Sequence, residues 1–216
     1  MRGYLRLNTE DPSVFQERFV VAGSGISNQR VTGRKPRADA ERNRQRLVEA
    51  AKAGFARTGA ATSLEEIARA AGVGIGTLYR HFPTRDALVE QVYRDALDRL
   101  SADADRLAAS EPPVEALRKW LLLFIDYIST KKLMADLLAS LAGGPAALYA
   151  TSGPKLRAAI GALVDRARTT GDIQFQGEPF DLLMAVAGLG YGNAAPGWET
   201  RAKQMVDVLI AGLQRR

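Results

Sequence analysis

The sequence predicts an all-α protein. Apolar residues recur three and four positions apart through successive segments, which is the spacing of a helix with one buried face. No segment alternates apolar and polar residues as a half-buried strand does. Glycine or proline stands at most boundaries between the periodic segments, where helices usually start or stop. We therefore expect about nine helices, with a three-helix unit near the N-terminus and a larger helical domain after it.

Four helices are predicted in the first half of the chain. Each is bounded by a glycine, a proline or a capping residue: 39–58, 63–71, 74–81 and 83–109. Ser63 and Glu66 have the spacing of a capping box, so the second helix begins at Ser63. The residues that this helix is expected to bury are Ile67, Ala70 and Ala71. Gly72 ends it and lets the chain reverse before the third helix.

Five further helices are predicted after residue 110. The first opens at Pro112–Pro113, and a short second one covers 133–141. The third ends near residue 170 and is expected to kink at Pro154, because proline removes a helical hydrogen bond. The last two are 179–190 and 199–213, on either side of a glycine-bounded loop.

Composition excludes several classes of protein. The chain has no cysteine and one histidine, His81, which rules out disulfides, thiolate chemistry and a multi-histidine metal site. We expect neither a metal nor a cofactor. No apolar run approaches the roughly 18–20 residues of a membrane span, and no secretory signal is present, so the interpretation is a cytoplasmic protein without a membrane partner.

Positive charge is concentrated in one part of the chain. The net charge of +6 divides into +1 for residues 1–33, +4 for 34–100 and +1 for 101–216. Seven basic residues lie within a short stretch that contains two acidic ones: Arg30, Arg34, Lys35, Arg37, Arg42, Arg44 and Arg46. A basic arm before a helix suits phosphate, although by itself it equally fits a solvated face.

Two very short helices hinged at Gly72 need a partner to be stable. Ala68 is small where they would cross, and Leu78 and Phe82 can share an interior with the first helix. That arrangement leaves Thr77, Arg80 and His81 on the outer face, where such groups can meet base edges and phosphates. The pattern predicts a helix-turn-helix, and the alternative is a hydrated surface on a helical hairpin.

The stretch from Arg46 to Leu100 resembles the DNA-binding domain of the tetracycline repressor (TetR) family. The run "LVEAAKAGFARTGAATSLEEIARAAGVGIGTLYRHFPTRDALVEQVY" carries its apolar first helix, capped second helix and "GTLYxxF" recognition helix. The resemblance implies a DNA-binding domain over 34–100 and a regulatory domain for effector binding and dimerisation over 101–216. The protein would then be a ligand-responsive repressor that binds a palindromic operator as a homodimer.

The resemblance also implies roles for individual residues. Those expected to contact phosphates are Ser63, Tyr79, His81 and Arg85. Those expected to face bases are Gly74, Ile75, Gly76, Thr77 and Arg80, whereas Leu78 and Phe82 match core positions. The family often has serine and lysine where this chain has Gly74 and Ile75. Ile75 cannot pair with a phosphate but can pack on a thymine methyl group, so phosphate binding would shift toward Arg34, Lys35 and Arg37.

Two further features are predicted in the second half of the chain, a dimer interface and an effector cavity. Residues 179–190 and 199–213 are predicted to form a four-helix dimer interface, with core helices of a monomer as the alternative. The predicted lining of an effector cavity is Trp120, Phe124, Tyr127, Met134, Leu138, Tyr149, Met184 and Tyr191. An apolar cavity implies a hydrophobic or aromatic effector. Aromatic residues at this spacing also fit plain core packing.

Residues 1–33 are predicted to be either a disordered arm or an extension that the native protein lacks. They contain no sustained apolar period, and the basic lead typical of the family begins near Val31. We hypothesise that translation starts at Val31, and the intact mass of the native protein tests this.

Two other functions remain open from sequence alone. An enzyme is disfavoured because the chain has no nucleophile elbow, phosphate-binding glycine loop or metal cluster. The other is a helical partner-binding protein that no longer reads DNA.

Overall fold

The computed structural model describes residues 36–142, 144, 146–191 and 196–214. Within these residues there are nine α-helices: α1 (Pro36–Thr58), α2 (Leu64–Ala70), α3 (Ile75–His81), α4 (Arg85–Ser110), α5 (Pro113–Leu133), α6 (Ala135–Ala139), α7 (Ala146–Thr169), α8 (Pro179–Tyr191) and α9 (Trp198–Leu213). A 3-10 turn, Gly59–Ala61, connects α1 to α2. The predicted all-α fold is confirmed. The expectations for residues 1–33, Arg34 and Lys35 lie outside the described residues.

Several local predictions were wrong. Helix α1 begins at Pro36 rather than Asp39, and α6 covers Ala135–Ala139 rather than 133–141, since Leu133 belongs to α5. The long helix begins at Arg85 rather than Pro83, because Thr84 is its N-cap and the Thr84 hydroxyl accepts a hydrogen bond from the Ala87 N–H at 3.1 Å. In α2 the buried residues include Ala68 rather than Ala70. Ala68 lies beside Ile67 in the buried core, whereas Ala70 is exposed at the edge of a groove between α1 and α2.

The first three helices enclose one small core. Leu47 and Phe55 of α1 are buried together with Ile67 of α2 and Leu78 of α3, each at most 1% exposed. Phe82, directly after α3, closes this core and is also buried. Because α4 packs against α1, the core continues without interruption into the second half of the protein.

Helix α5 is the central element of that second half, since it packs against α4, α7, α8 and α9. Trp120 in α5 is fully buried, and its indole N–H donates a hydrogen bond to the Leu100 carbonyl of α4 at 2.8 Å. On another side of α5, Arg118 donates from Nε to Asp207 of α9 at 2.7 Å. This hydrogen bond to Asp207 raises the pKa of Arg118 and stabilises the contact between the two helices.

Pro154 lies inside α7, as expected from the sequence. In the described part of the chain, no helix has both the length and the apolar character needed to cross a membrane.

Candidate nucleic-acid interface

The turn between α2 and α3 is a Schellman motif. The Gly72 N–H donates to the Arg69 carbonyl at 3.0 Å, and the Val73 N–H donates to the Ala68 carbonyl at 3.0 Å. Gly72 has a φ of +67°, in the left-handed region that favours glycine. The hinge that the sequence predicted therefore ends α2 abruptly and fixes the direction in which α3 leaves it.

The start of α2 is fixed by the predicted capping box. The Ser63 hydroxyl accepts a hydrogen bond from the Glu66 N–H, and the Glu66 carboxylate accepts one from the Ser63 N–H, both at 3.1 Å. Ser63, a predicted phosphate contact, is half-buried, and its hydroxyl proton is not used by this cap.

Helix α3 presents most of the predicted base-facing residues to solvent. Gly74, Ile75, Gly76, Tyr79 and Arg80 are exposed, and Thr77 and His81 are half-buried. Leu78 and Phe82 are buried, as the resemblance implied. The predicted residues of α3 thus lie on its exposed sides, around the buried Leu78.

Neither Gly74 nor Gly76 is required by the protein's own packing. A Cβ atom added at either position would meet nothing within 4 Å, and neither residue has a positive φ. Glycine at these positions removes side chains only from the outer surface, where it leaves space for a partner molecule.

Arg85 differs from the other predicted contacts because protein groups surround it. Its guanidinium donates to the Thr62 carbonyl at 2.6 Å and to the Ala60 carbonyl at 2.9 Å. The same group lies over the Phe55 ring, 5.3 Å from the ring centroid. Sequence reasoning missed these contacts because they join residues more than twenty positions apart.

The basic residues before and within α1 have more than one role. Arg37 is exposed at the start of α1. Arg44 donates to Gln91 of α4 at 2.6 Å and lies over the Phe82 ring, so it packs α1 against its neighbours. Arg46 donates to Asn43 within α1 at 2.5 Å. Part of the basic stretch therefore stabilises the fold.

Comparison with known proteins identifies the family. The family model described as "Bacterial regulatory proteins, tetR family" matches residues 47–92. The model "Transcriptional regulator SbtR-like, C-terminal domain" matches residues 112–215, so the two models together span most of the chain. This chain belongs to the TetR family. It is a transcriptional regulator and not an enzyme.

Solved structures agree with this assignment. A TetR transcriptional regulator from Streptomyces coelicolor is 39% identical, with a TM-score of 0.72 over 79% of this chain and 98% of that one. A TetR regulatory protein from Mycobacterium vanbaalenii is 31% identical, with a TM-score of 0.68 over 83% and 99% of the two chains. The "Probable acrEF/envCD operon repressor" of Escherichia coli (strain K12) is 31% identical over 99 residues. That alignment spans less than half of either protein, 44% of this chain and 45% of the repressor.

In the second half of this TetR-family protein, most of the predicted effector-lining residues are buried: Trp120, Phe124, Tyr127, Met134 and Leu138. The rings of the three aromatic residues form a row: the centroids of Trp120 and Phe124 are 6.0 Å apart, and so are those of Phe124 and Tyr127. Tyr127 also borders a groove of about 160 Å³ beside α1, α4 and α5.

Tyr93, which the sequence analysis missed, and Tyr149, which it included, extend this aromatic row. The Tyr127 hydroxyl donates to the Tyr93 hydroxyl of α4 at 2.9 Å, and both side chains are buried. The ring of Tyr149 lies 6.1 Å from that of Tyr93, and Lys131 Nζ lies 3.9 Å from the Tyr149 ring centroid. Tyr149 is 37% exposed, so the row reaches the surface. An alignment of aromatic positions on α4 and α5 is the only sequence signal that could have indicated Tyr93.

Met184, the seventh predicted lining residue, is 52% exposed on α8. Met205 and Val208 of α9 are 41% and 60% exposed. All three side chains are exposed on α8 and α9, two helices that pack against each other, and we call this set of three residues the α8–α9 face. The side chain of Tyr191 lies outside the described residues.

Proposed function

We propose that this TetR-family regulator is a homodimeric repressor that binds an inverted-repeat operator and releases it on binding a hydrophobic effector. The observation that carries the proposal is the outer surface of α3. It combines two glycines that packing does not require with the exposed side chains of Ile75, Tyr79 and Arg80. We expect this surface to lie in the major groove, where Thr77 and Arg80 reach base edges.

Phosphate contacts are expected to flank the recognition helix. Ser63 at the start of α2 and His81 at the end of α3 lie on either side of it, and Arg37 is exposed at the start of α1. Such contacts position the protein on the duplex without specifying sequence. DNA binding also implies a cytoplasmic location.

The α8–α9 face supports the dimer. Exposed large apolar side chains cost free energy in water, and contiguous ones commonly mark an interface. Pairing this face with that of a second copy would form the four-helix interface at residues 179–190 and 199–213. Two copies are needed because one short recognition helix reads too few base pairs for useful specificity.

The aromatic row supports a hydrophobic or aromatic effector. A flat apolar molecule that separated the rings of Phe124, Tyr127 and Tyr93 would be recognised by stacking. Helices α4 and α5 carry these rings, and α4 also contacts α1 of the DNA-binding domain. A change in α4 on effector binding would alter the separation of the two recognition helices and weaken operator binding, typically by 1–3 kcal/mol.

The first experiment is a selection of random duplex DNA on the purified protein at physiological salt, where non-specific phosphate binding is weak. We expect enrichment of an inverted repeat. The double variant Tyr79→Ala/His81→Ala should lose this enrichment, and the control Arg94→Ala, an exposed residue of α4, should keep it. If the folded wild-type protein enriched no sequence, the DNA-reading function would be wrong, and a helical partner-binding protein would replace it.

A further inference from the structure

We propose that Arg85 is a positioning residue for DNA binding. It holds the start of α2 in a fixed place relative to α4, and operator affinity depends on that placement rather than on a contact between Arg85 and a phosphate. This inference rests on the DNA-binding function proposed above.

The first support is the way in which Arg85 is held. Its two terminal nitrogens donate to two different carbonyl groups, those of Thr62 and Ala60, and its plane lies over the buried ring of Phe55. A planar guanidinium can satisfy all three contacts at once because its donors have a fixed fork geometry. A lysine ammonium also has several donors, but it lacks the rigid planar fork and the flat face that stacks on Phe55.

The second support is the segment that Arg85 holds. Thr62 is 1% exposed, and its hydroxyl is hydrogen-bonded to the Thr58 hydroxyl at 2.6 Å. Gly54 of α1 packs directly against it, since an added Cβ there would lie 2.6 Å from the Thr62 methyl group. Thr62 is therefore fixed by α1 on one side and by Arg85 on the other.

Thr62 directly precedes Ser63, the N-cap of α2. A shift of Thr62 therefore moves the first turn of α2. The Schellman motif at Gly72 fixes α3 relative to the end of α2, so the same shift reaches the recognition helix. Arg85 acts on DNA binding through this short path of contacts.

The third support is that the start of α4, from which the Arg85 side chain extends, is itself held in place. The Thr84 hydroxyl caps α4 at the Ala87 N–H, and the carboxylate of Asp86 accepts a hydrogen bond from the Ala142 N–H at 3.3 Å. Helix α6 also packs against the 3-10 turn 59–61. Adjacent residues at the start of α4 thus bind the turn before α2 and the segment after α6.

The substitution Arg85→Lys separates positioning from phosphate binding. Lysine keeps the positive charge that a phosphate contact needs but loses the two-carbonyl fork and the stacking on Phe55. Arg85→Gln removes the positive charge as well as the fork and the stacking. The matched control is Arg94→Lys, the same chemical change at an exposed position of α4.

The experiment measures Kd for the operator selected by the wild-type protein, for all four proteins and over a series of salt concentrations. We expect Arg85→Lys and Arg85→Gln to weaken binding by a similar factor of tenfold or more, with equal salt slopes, while Arg94→Lys binds as wild type does. A phosphate contact gives a different result. Arg85→Lys would then bind as wild type does, and only Arg85→Gln would lower the slope of log Kobs against log[salt] by about 0.9. That result would overturn the proposal.

A second selection of random DNA, on folded Arg85→Lys, distinguishes positioning from lost stability. We expect relaxed base preference or an altered half-site spacing, because α3 is displaced. A variant that was only less stable would enrich the wild-type sequence, and this outcome would also overturn the proposal. Circular dichroism at the temperature of the assay establishes that the variant is folded.

A measurement on the wild-type protein needs no variant. Nuclear magnetic resonance of the Arg85 guanidinium should give the same signals with and without saturating operator, because its carbonyl partners stay in place. A large shift on DNA binding would contradict the proposal. If the wild-type protein selects no DNA sequence, the proposed function fails and this inference fails with it. If the wild-type protein selects an operator but Arg85→Lys binds it as wild type does, only this inference fails.

Discussion

The indole N–H of Trp120 in α5 donates a hydrogen bond to the carbonyl of Leu100 in α4 at 2.8 Å, in a fully buried setting. This bond joins α4, which packs against α1, to α5, the central helix of the second half of the protein.

We expect Trp120→Phe to lower the free energy of unfolding by about 1–3 kcal/mol, because it removes the donor and leaves unfilled volume in the core. Urea unfolding followed by circular dichroism measures this. Trp198→Phe is the control. Because Trp198 is half-buried, this substitution should lower the free energy of unfolding by less. An equal loss in the two variants would show that the buried bond adds no stability.

Gly72→Ala tests the hinge. A φ of +67° costs an alanine about 1–2 kcal/mol relative to glycine, so both the thermal unfolding temperature and the operator affinity should fall. Calorimetry and an operator-binding titration measure the two quantities. Unchanged stability would mean that the chain adopts another turn at this position.

Gly76→Ala should separate stability from binding. Alanine is a better helix former than glycine by about 1 kcal/mol, and the added methyl group meets nothing in the protein. We therefore expect equal or higher stability together with weaker operator binding, because the methyl group lies between α3 and the DNA. Gly161→Ala in α7 is the matched control, because its Cβ would also lie in open space and α7 belongs neither to the proposed DNA surface nor to the proposed dimer interface. Wild-type affinity in the Gly76→Ala protein would show that α3 does not approach DNA closely here.

Ile75, which is 37% exposed in the first turn of α3, is expected to pack on a thymine methyl group. Once the operator has been selected, each thymine in one half-site can be replaced by deoxyuridine, which lacks only that methyl group. At one position the wild-type protein should lose about 1 kcal/mol of binding free energy. Ile75→Ser should bind the two DNAs equally well. The hypothesis fails if no single replacement affects wild type more than it affects Ile75→Ser.

Val208→Glu tests the α8–α9 face. Val208 is 60% exposed, and a buried, unpaired carboxylate would prevent close approach of a second copy. We expect a monomer by light scattering after size exclusion, and loss of inverted-repeat binding. Leu133→Glu is the control, because Leu133 is 51% exposed at the end of α5 and is not one of the three residues of that face. A Val208→Glu protein that remained dimeric would require a different interface.

Features set by neighbouring residues in the sequence could be predicted. The capping box of Ser63 and Glu66 and the reversal at Gly72 involve residues at most five positions apart, so their spacing is enough to indicate the structure. The helical period likewise predicted all nine helices of the described residues. The start of α4 was placed at Pro83 instead of Arg85 because Thr84 competes with proline as the start signal.

Contacts between distant residues could not be predicted. The partners of Arg85 lie 23 and 25 residues before it, and no local pattern indicates them. Met184 shows a related limit. Helix α8 is apolar on most sides, so its sequence does not indicate which side chains face the interior and which form the exposed face.

The aromatic row makes the intrinsic tryptophan fluorescence of the protein sensitive to what binds there. The chain has two tryptophans, and Trp120, fully buried and stacked on Phe124, is the one that belongs to the row. Its emission depends on that stacking and on the bond to Leu100, whereas Trp198 lies at the start of α9. A compound that enters among the rings therefore changes the colour or intensity of tryptophan fluorescence without any dye. Libraries of aromatic molecules can therefore be screened on the unlabelled protein.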